Sequence, residues 1–219
     1  MNFHFLESEL RQRLNKQLPG IEAHEKMIPP SRRESIHNAF LGKNGKNSAV
    51  LLLLYPHTNS LNFVLIKRAR YNGVHSGQIA LPGGQYETQD DDLKYTALRE
   101  AQEEIGIDMN KVSIVGKLSE IYIPPSNFRV QPFVGFYPEK PVFKVDGIET
   151  SRTIEISIKD FMNPDLQTEK MIVRRDGKNE KVPCFYLNGE IVWGATAMIL
   201  SEFLMVLKDM PKELFISPQ

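Results

Sequence analysis

Three glutamates, Glu100, Glu103 and Glu104, fall within one helical turn of each other in the stretch LPGGQYETQDDDLKYTALREAQEEIGI, residues 81–107. At 3.6 residues per turn, Glu104 sits about 40° round the axis from Glu100 and roughly 6 Å along it, with Glu103 about 60° to the other side. Three carboxylates on one face repel one another. Arg99 and Lys94 can offset part of that charge, and a divalent cation would take up the rest. An all-oxygen ligand set favours Mg²⁺ or Mn²⁺ over zinc. Ahead of the acids, Pro82-Gly83-Gly84 lets the backbone turn sharply and approach a ligand closely, which could put carbonyls beside the same face. Such a site suits a metal-bound phosphate, because a cation there activates water and neutralises charge at phosphorus. An acidic helix face alone is usually just solvated; the glycines and acids in this order carry the inference.

The helix that must present these acids spans 93–105. Asp91 or Asp92 can cap its start, and Gly106 suits the left-handed turn past its end. Leu93, Ala97, Ala101 and Ile105 recur every four residues and can face a sheet. The run 49–55 reads as a strand buried on both faces. A turn at 57–60 leads to a second strand, 62–68, its hairpin partner. Further strands are expected at 112–120, 130–137 and 153–158, with a short helix at 159–162. A hairpin joins 171–175 to 181–187 around Asp176-Gly177. A final helix covers 195–208, with Ala197, Leu200, Leu204 and Leu207 on one stripe. Upstream, 3–17 reads as an amphipathic helix ended by Pro19-Gly20, and 35–41 as a short helical turn. This is a mixed α/β pattern, organised as an N-terminal helical extension and linker, 1–46, and a domain, 47–219.

Composition narrows the function. Lys+Arg and Asp+Glu both number 27 in 219 residues, so the basic excess of a phosphate-tracking nucleic-acid binder is missing. The longest apolar run is seven residues, against about 20 for a membrane span. No secretory signal is evident. A single cysteine, Cys184, excludes an internal disulfide scaffold. A cytoplasmic protein is expected, with no nucleic-acid or membrane partner.

The segment resembles the Nudix box, G-x5-E-x7-R-E-U-x-E-E-x-G-U, with U a bulky aliphatic. Gly84 is followed by Asp90 or Asp91 at the first acid, then by Arg99-Glu100-Ala101-Gln102-Glu103-Glu104-Ile105-Gly106-Ile107. Aspartate replaces glutamate, one extra residue precedes Arg99, and Ala101 stands at an aliphatic position. Upstream, Leu65-Ile66-Lys67-Arg68-Ala69, Gly73, Gly77 and Leu81-Pro82-Gly83-Gly84 resemble the signature of the coenzyme A pyrophosphatase branch, L-L-T-x-R-[SA]-x3-R-x3-G-x3-F-P-G-G. Gly73 stands where that signature has arginine, and Arg70 is a nearby substitute.

The resemblance implies an α/β/α sandwich with a mixed sheet and the box as loop–helix–loop. It implies Glu100, Glu103, Glu104 and the Gly83 carbonyl as ligands of Mg²⁺ or Mn²⁺, with Arg99 orienting a glutamate by a salt bridge. The general base is Glu104 or an acid from a distant loop, Glu149 or Glu120. Arg68, Arg70, His75, Gly77 and Gly84 are the expected substrate-binding residues. Tyr71, Phe128 and Tyr186 are candidates to stack on adenine, Trp193 is expected to anchor the last helix in the core, and Cys184 is expected to be inert. The implied reaction is metal-dependent hydrolysis of coenzyme A or its derivatives to 3′,5′-ADP and 4′-phosphopantetheine. The alternatives are hydrolysis of another nucleotide (ADP-ribose, NADH, a dinucleoside polyphosphate or an NTP), or a Nudix-fold binding module without catalysis. Residues 1–46 are expected either to serve homodimerisation or to cover the substrate site.

Overall fold

A computed structural model describes residues 3–33, 45–58, 60–70, 75–174 and 176–211. The expected helical turn at 35–41, and the positions of Tyr71 and Gly73, lie outside the described residues. In chain order the elements are α1 (Phe3–Leu14), α2 (Ile21–His24), β1 (Lys46–His57), β2 (Ser60–Arg68), β3 (Ile79–Ala80), β4 (Gly83–Gln85) and α3 (Leu93–Ile105). They continue as β5 (Ser113–Lys117), β6 (Ile121–Ile123), β7 (Phe128–Phe136), β8 (Thr150–Ser157), α4 (Ile158–Phe161), β9 (Gln167–Val173), β10 (Asn179–Leu187), β11 (Glu190–Trp193) and α5 (Gly194–Lys208).

The apolar run of β1 makes it the central strand. It pairs antiparallel with β2 and β4 and parallel with β7. The path β3-β2-β1-β7-β5 carries β8 on β2 and β6 on β7, giving a mixed sheet; β11-β10-β9 form a second, antiparallel sheet. Alternation along β1 divides its side chains between two cores. Ala49, Leu51, Leu53 and Tyr55 pack under Ala97, Ala101 and Ile105 of α3. Leu52 and Leu54 join the core on the opposite face with Phe203 and Leu204 of α5. Each such leucine contributes about 1.5–3 kcal/mol by leaving water. The sheet is thus sandwiched between helices, as expected.

Leu6, Leu10 and Leu14 of α1 belong to the same core as α5. Glu202 of α5, fully buried, accepts from Gly20 N (2.9 Å), His24 Nε2 (3.2 Å), Ser119 N (3.0 Å) and Ser119 Oγ (2.6 Å). One carboxylate therefore ties the N-terminal segment to α5 and to the β5–β6 connection. Among the described residues no helix is long and apolar enough to cross a membrane.

Candidate functional site

Capping fixes the acidic helix in place. Asp92 accepts from Tyr95 N at 2.7 Å, so the cap is Asp92 rather than Asp91, and Gly106 closes the helix with φ 71°. The inward row of α3 anchors on the sheet, which turns Glu104 down onto β4. Gly83 N donates to Glu104 Oε2 at 2.9 Å. This bond uses the Gly83 amide, an atom distinct from the carbonyl that the resemblance implies as a ligand.

Both glycines are sterically required. A Cβ on Gly83 would lie 2.3 Å from Ala49 O and 2.5 Å from Val50 Cα, where β4 is pressed against β1. A Cβ on Gly84 would lie 2.4–2.5 Å from the Glu100 carboxyl group. Gly83 thus lets β4 press against β1, and Gly84 makes room for Glu100.

Arg99 organises the others. Its Nε and Nη2 hold Asp90 at 2.8 and 3.0 Å, while Nη1 donates to Glu100 at 3.0 Å and to Glu103 at 3.1 Å. Asp90, buried, also accepts from Thr96 Oγ1 and Glu87 N. The Arg99 hydrogen bonds hold its carboxyl well below the usual carboxylate range. Of the two aspartates considered for the first acid of the box, Asp90 is the one joined to Arg99. Arg99 relieves two glutamates at once, more than local spacing suggested, and Lys94 pairs with none of them. Among the described residues, no three acidic, His or Cys side chains already converge as a ligand shell.

Arg68 reaches the third glutamate from the sheet. Val64 and Ile66 face α3, and Arg68, at the end of β2, reaches the same side. Its Nη1 lies 3.9 Å from Glu104 Oε1 and its Nη2 4.0 Å from Glu149 Oε2. Burial pushes Glu104 up to about 8 and also raises Glu100. Glu104 Oε1 is buried without a hydrogen-bond partner. A buried carboxylate oxygen with no hydrogen bond and only a distant guanidinium, beside two further acids, fits a divalent cation, which supplies the missing positive charge.

Glu149 arrives by a turn in which Asp146 accepts from Glu149 N and Thr150 N, while Ala69 N donates to Glu149 O at 2.7 Å. Glu120 instead pairs with Arg129 at 2.6 Å, outside the cleft. The cleft measures about 1380 Å³. Glu100, Glu103, Glu104, Arg99, Arg68 and Glu149 line it, as do His75, Gly83 and Gly84. His75 has φ 73° and a 2.9 Å Nδ1···Gln78 Oε1 contact, and burial lowers its pKa.

Two expected substrate-binding residues are not in the lining. Arg70 is exposed: β2 ends at Arg68, so strand alternation no longer directs Arg70 inward. Gly77, φ 68°, shapes the turn that presents His75 and Gln78. Phe128 lines the cleft; Tyr186 lies outside it, under Lys170 Nζ at 5.0 Å. Trp193 is a correction. It is only partly buried and forms cleft wall at the start of α5, because Gly194 begins the helix and the core row starts at Ala197. Cys184 is buried, and burial pushes its thiol up, consistent with inertness. Sequence reasoning missed Arg32 and Arg174, which also line the cleft; Arg32 ends a 3-10 turn and Arg174 follows β9, and neither belongs to a motif.

Residues 45–160 match the family model described as NUDIX domain. The Yersinia pestis protein named uncharacterized Nudix hydrolase NudL is 28% identical over 173 residues, covering 79% of this chain and 85% of the relative. The structure of the Nudix hydrolase RenU from M. smegmatis aligns with TM-score 0.51 and 14% identity over 76% of this chain and 88% of that one. A MutT/nudix family protein from Enterococcus faecalis aligns with TM-score 0.50 and 15% identity over 89% and 76%. These two likenesses concern the fold.

Proposed function

The chain belongs to the NUDIX domain family and is a hydrolase of that family, and from that premise we propose that it hydrolyses the diphosphate of coenzyme A or a coenzyme A derivative. One observation carries the substrate reading. The matched residues of the upstream signature fold onto the acidic helix: Arg68 beside Glu104, Gly83 under it, and Gly84 against Glu100. The products are 3′,5′-ADP and 4′-phosphopantetheine, and the reducing cytoplasm is the expected setting.

Glu100, Glu103 and Glu104 would hold Mg²⁺ or Mn²⁺. The bound ion supplies Lewis acidity toward the diphosphate and lowers the pKa of water. The protein's own groups do the rest. Asp90 fixes Arg99, and Arg99 keeps Glu100 and Glu103 on the cleft side. Arg68 offers a fixed cation to a phosphate oxygen, so charge developing there needs no reorganisation. Glu149, largely exposed in the cleft and within 4.0 Å of Arg68, is the acid placed to take a proton from attacking water. His75 donates or accepts a hydrogen bond while neutral.

A substrate panel with Mg²⁺ or Mn²⁺ tests the reading: coenzyme A, an acyl derivative, NADH, ADP-ribose, a diadenosine polyphosphate and dNTPs, with products separated by chromatography. Preferred release of 3′,5′-ADP from coenzyme A is expected. Preference for ADP-ribose would reject the assignment.

A further inference from the structure

Glu149, the acid placed to take the proton of attacking water, stands on the connection between β7 and β8. A loop is the more mobile part of a fold, whereas a proton acceptor must be held to within about an ångström of its working position. Segment 143–150 meets that demand by being tied down at both ends. The Phe143 ring packs edge-on against Tyr55, 5.6 Å between centroids. Lys144 N donates to Ile105 O at 2.9 Å, where α3 ends, and a Cβ on Gly106 would lie 2.9 Å from both Lys144 Cβ and Lys144 O. At the far end Ala69 N donates to Glu149 O at 2.7 Å, and Thr150, fully buried, stands opposite Arg68 in the β2–β8 register. The segment therefore straps the end of the acidic helix to the end of the strand that carries Arg68.

Between those anchors the strap faces solvent. Residues 144–149 are all exposed, Ile148 to 81%, so side-chain packing cannot set the backbone there. Asp146 sets it instead. Its Oδ2 accepts from Glu149 N at 2.9 Å and its Oδ1 from Thr150 N at 2.8 Å, while Gly147 N donates to Thr150 O at 3.2 Å across the same turn. An aspartate that binds amides just ahead of it folds the chain into a turn of fixed shape. The direction in which Glu149 leaves the backbone follows from that shape, and its Oε2 lies 4.0 Å from Arg68 Nη2. Asp146 also lines the cleft, but both of its oxygens are engaged by amides.

We propose that Asp146 is a positioning residue of the reaction: by binding the amides of Glu149 and Thr150 it holds the Glu149 carboxylate beside Arg68, and it acts on turnover through Glu149. This rests on the reading of Glu149 as the proton acceptor and adds the group that keeps that acceptor in place. A loop that no motif marks thereby becomes part of the catalytic apparatus.

Steady-state kinetics of the full chain test this, with Mg²⁺ and whichever nucleotide of the substrate panel is cleaved fastest. E149Q should lower kcat by about a hundredfold, the scale of a general base. D146A should lower kcat by about tenfold or more with KM close to wild type, the pattern of a misplaced group that acts in the transition state. D146N keeps an acceptor for one of the two amides and should recover part of that loss. In D146A/E149Q the loss should be no greater than in E149Q, because the two residues act as a unit. N163A removes a side-chain cap of the same kind, on Asp165 N and outside the cleft, and should leave kcat unchanged. If D146A does not melt cooperatively, D146N and D146N/E149Q carry the same comparison. Wild-type kcat in the Asp146 variants, a loss that multiplies with that of E149Q in the double variant, or an equal loss in N163A would overturn the role of Asp146 while a slow E149Q keeps Glu149 as the base. Wild-type turnover in E149Q would remove the base and the positioning role together. Fastest cleavage of a nucleotide other than coenzyme A would remove the substrate assignment and, with the expected variant pattern, uphold Asp146.

Discussion

Arg99 grips Asp90 with two parallel bonds, Nε to Oδ1 at 2.8 Å and Nη2 to Oδ2 at 3.0 Å, and so aims its remaining nitrogen, Nη1, at Glu100 and Glu103. Fork-on-fork pairing of this kind fixes orientation as well as distance. The acidic face depends on a residue that touches neither of those glutamates.

D90N should therefore weaken both the fold and the reaction. Breaking a largely buried ion pair costs about 3 kcal/mol, measurable by urea unfolding at pH 7. Asp90 titrates below its unfolded value because of Arg99. Its contribution is present above the unfolded pKa of about 3.9 and fades as pH falls through the folded value. The stability gap between wild type and D90N should accordingly narrow below about pH 4.

The two glycines should behave differently when substituted. In G83A the new Cβ meets backbone of β1, which cannot yield; a loss of about 3 kcal/mol or more is expected in thermal or chemical melts. In G84A the Cβ meets the end of the Glu100 side chain, which can move. G84A should melt within about 1 kcal/mol of wild type yet lose turnover, because Glu100 is displaced. Equal stability of the two variants would contradict the packing described.

E202Q should loosen the N-terminal segment. Burial alone would raise Glu202, but hydrogen bonds from His24 and Ser119 outweigh it and hold the carboxyl below the usual range. Its stabilisation is thus present above an unfolded pKa of about 4.3 and lost as pH falls. Removing that charge should cost roughly 3 kcal/mol at pH 7 and accelerate amide exchange in residues 20–27 relative to the sheet.

Much of this arrangement was legible in the sequence. Helix α3 was legible because an aspartate at 91 or 92 and Gly106 mark its ends and its apolar row repeats every four positions. Strand β1 was legible from its unbroken apolar run. Strand β4 was not, since Gly83 and Gly84 disfavour strands; the packing against β1 that leaves no room for a Cβ at Gly83 is visible only in the fold. The spacing of Glu100, Glu103 and Glu104 gave the shared face, but not that Arg99 would hold two of them and Gly83 the third. Arg32 and Arg174 were illegible, because only the packing of Pro30–Arg32 on β10 brings them to one cleft. Arg70 misled because it was chosen for its nearness in sequence to Gly73, and β2 ends at Arg68, two residues short of it.

E104Q should lose turnover by at least about a hundredfold, the scale of a catalytic acid–base or electrostatic group, while folding normally. Glutamine keeps an acceptor for Gly83 N and removes a buried charge whose second oxygen accepts no hydrogen bond. Turnover near the wild-type rate would refute the role of Glu104.

The central claim is that the acidic face of α3 takes up a divalent cation, and melting temperature against Mg²⁺ concentration tests it most directly. At a hundredfold excess over Kd a ligand specific to the folded state adds about 2.7 kcal/mol. The wild type should gain a saturable rise in Tm, with Mn²⁺ acting likewise, and E100Q and E104Q should lose it. A wild-type Tm indifferent to both ions, or the same rise in both variants, would contradict the account.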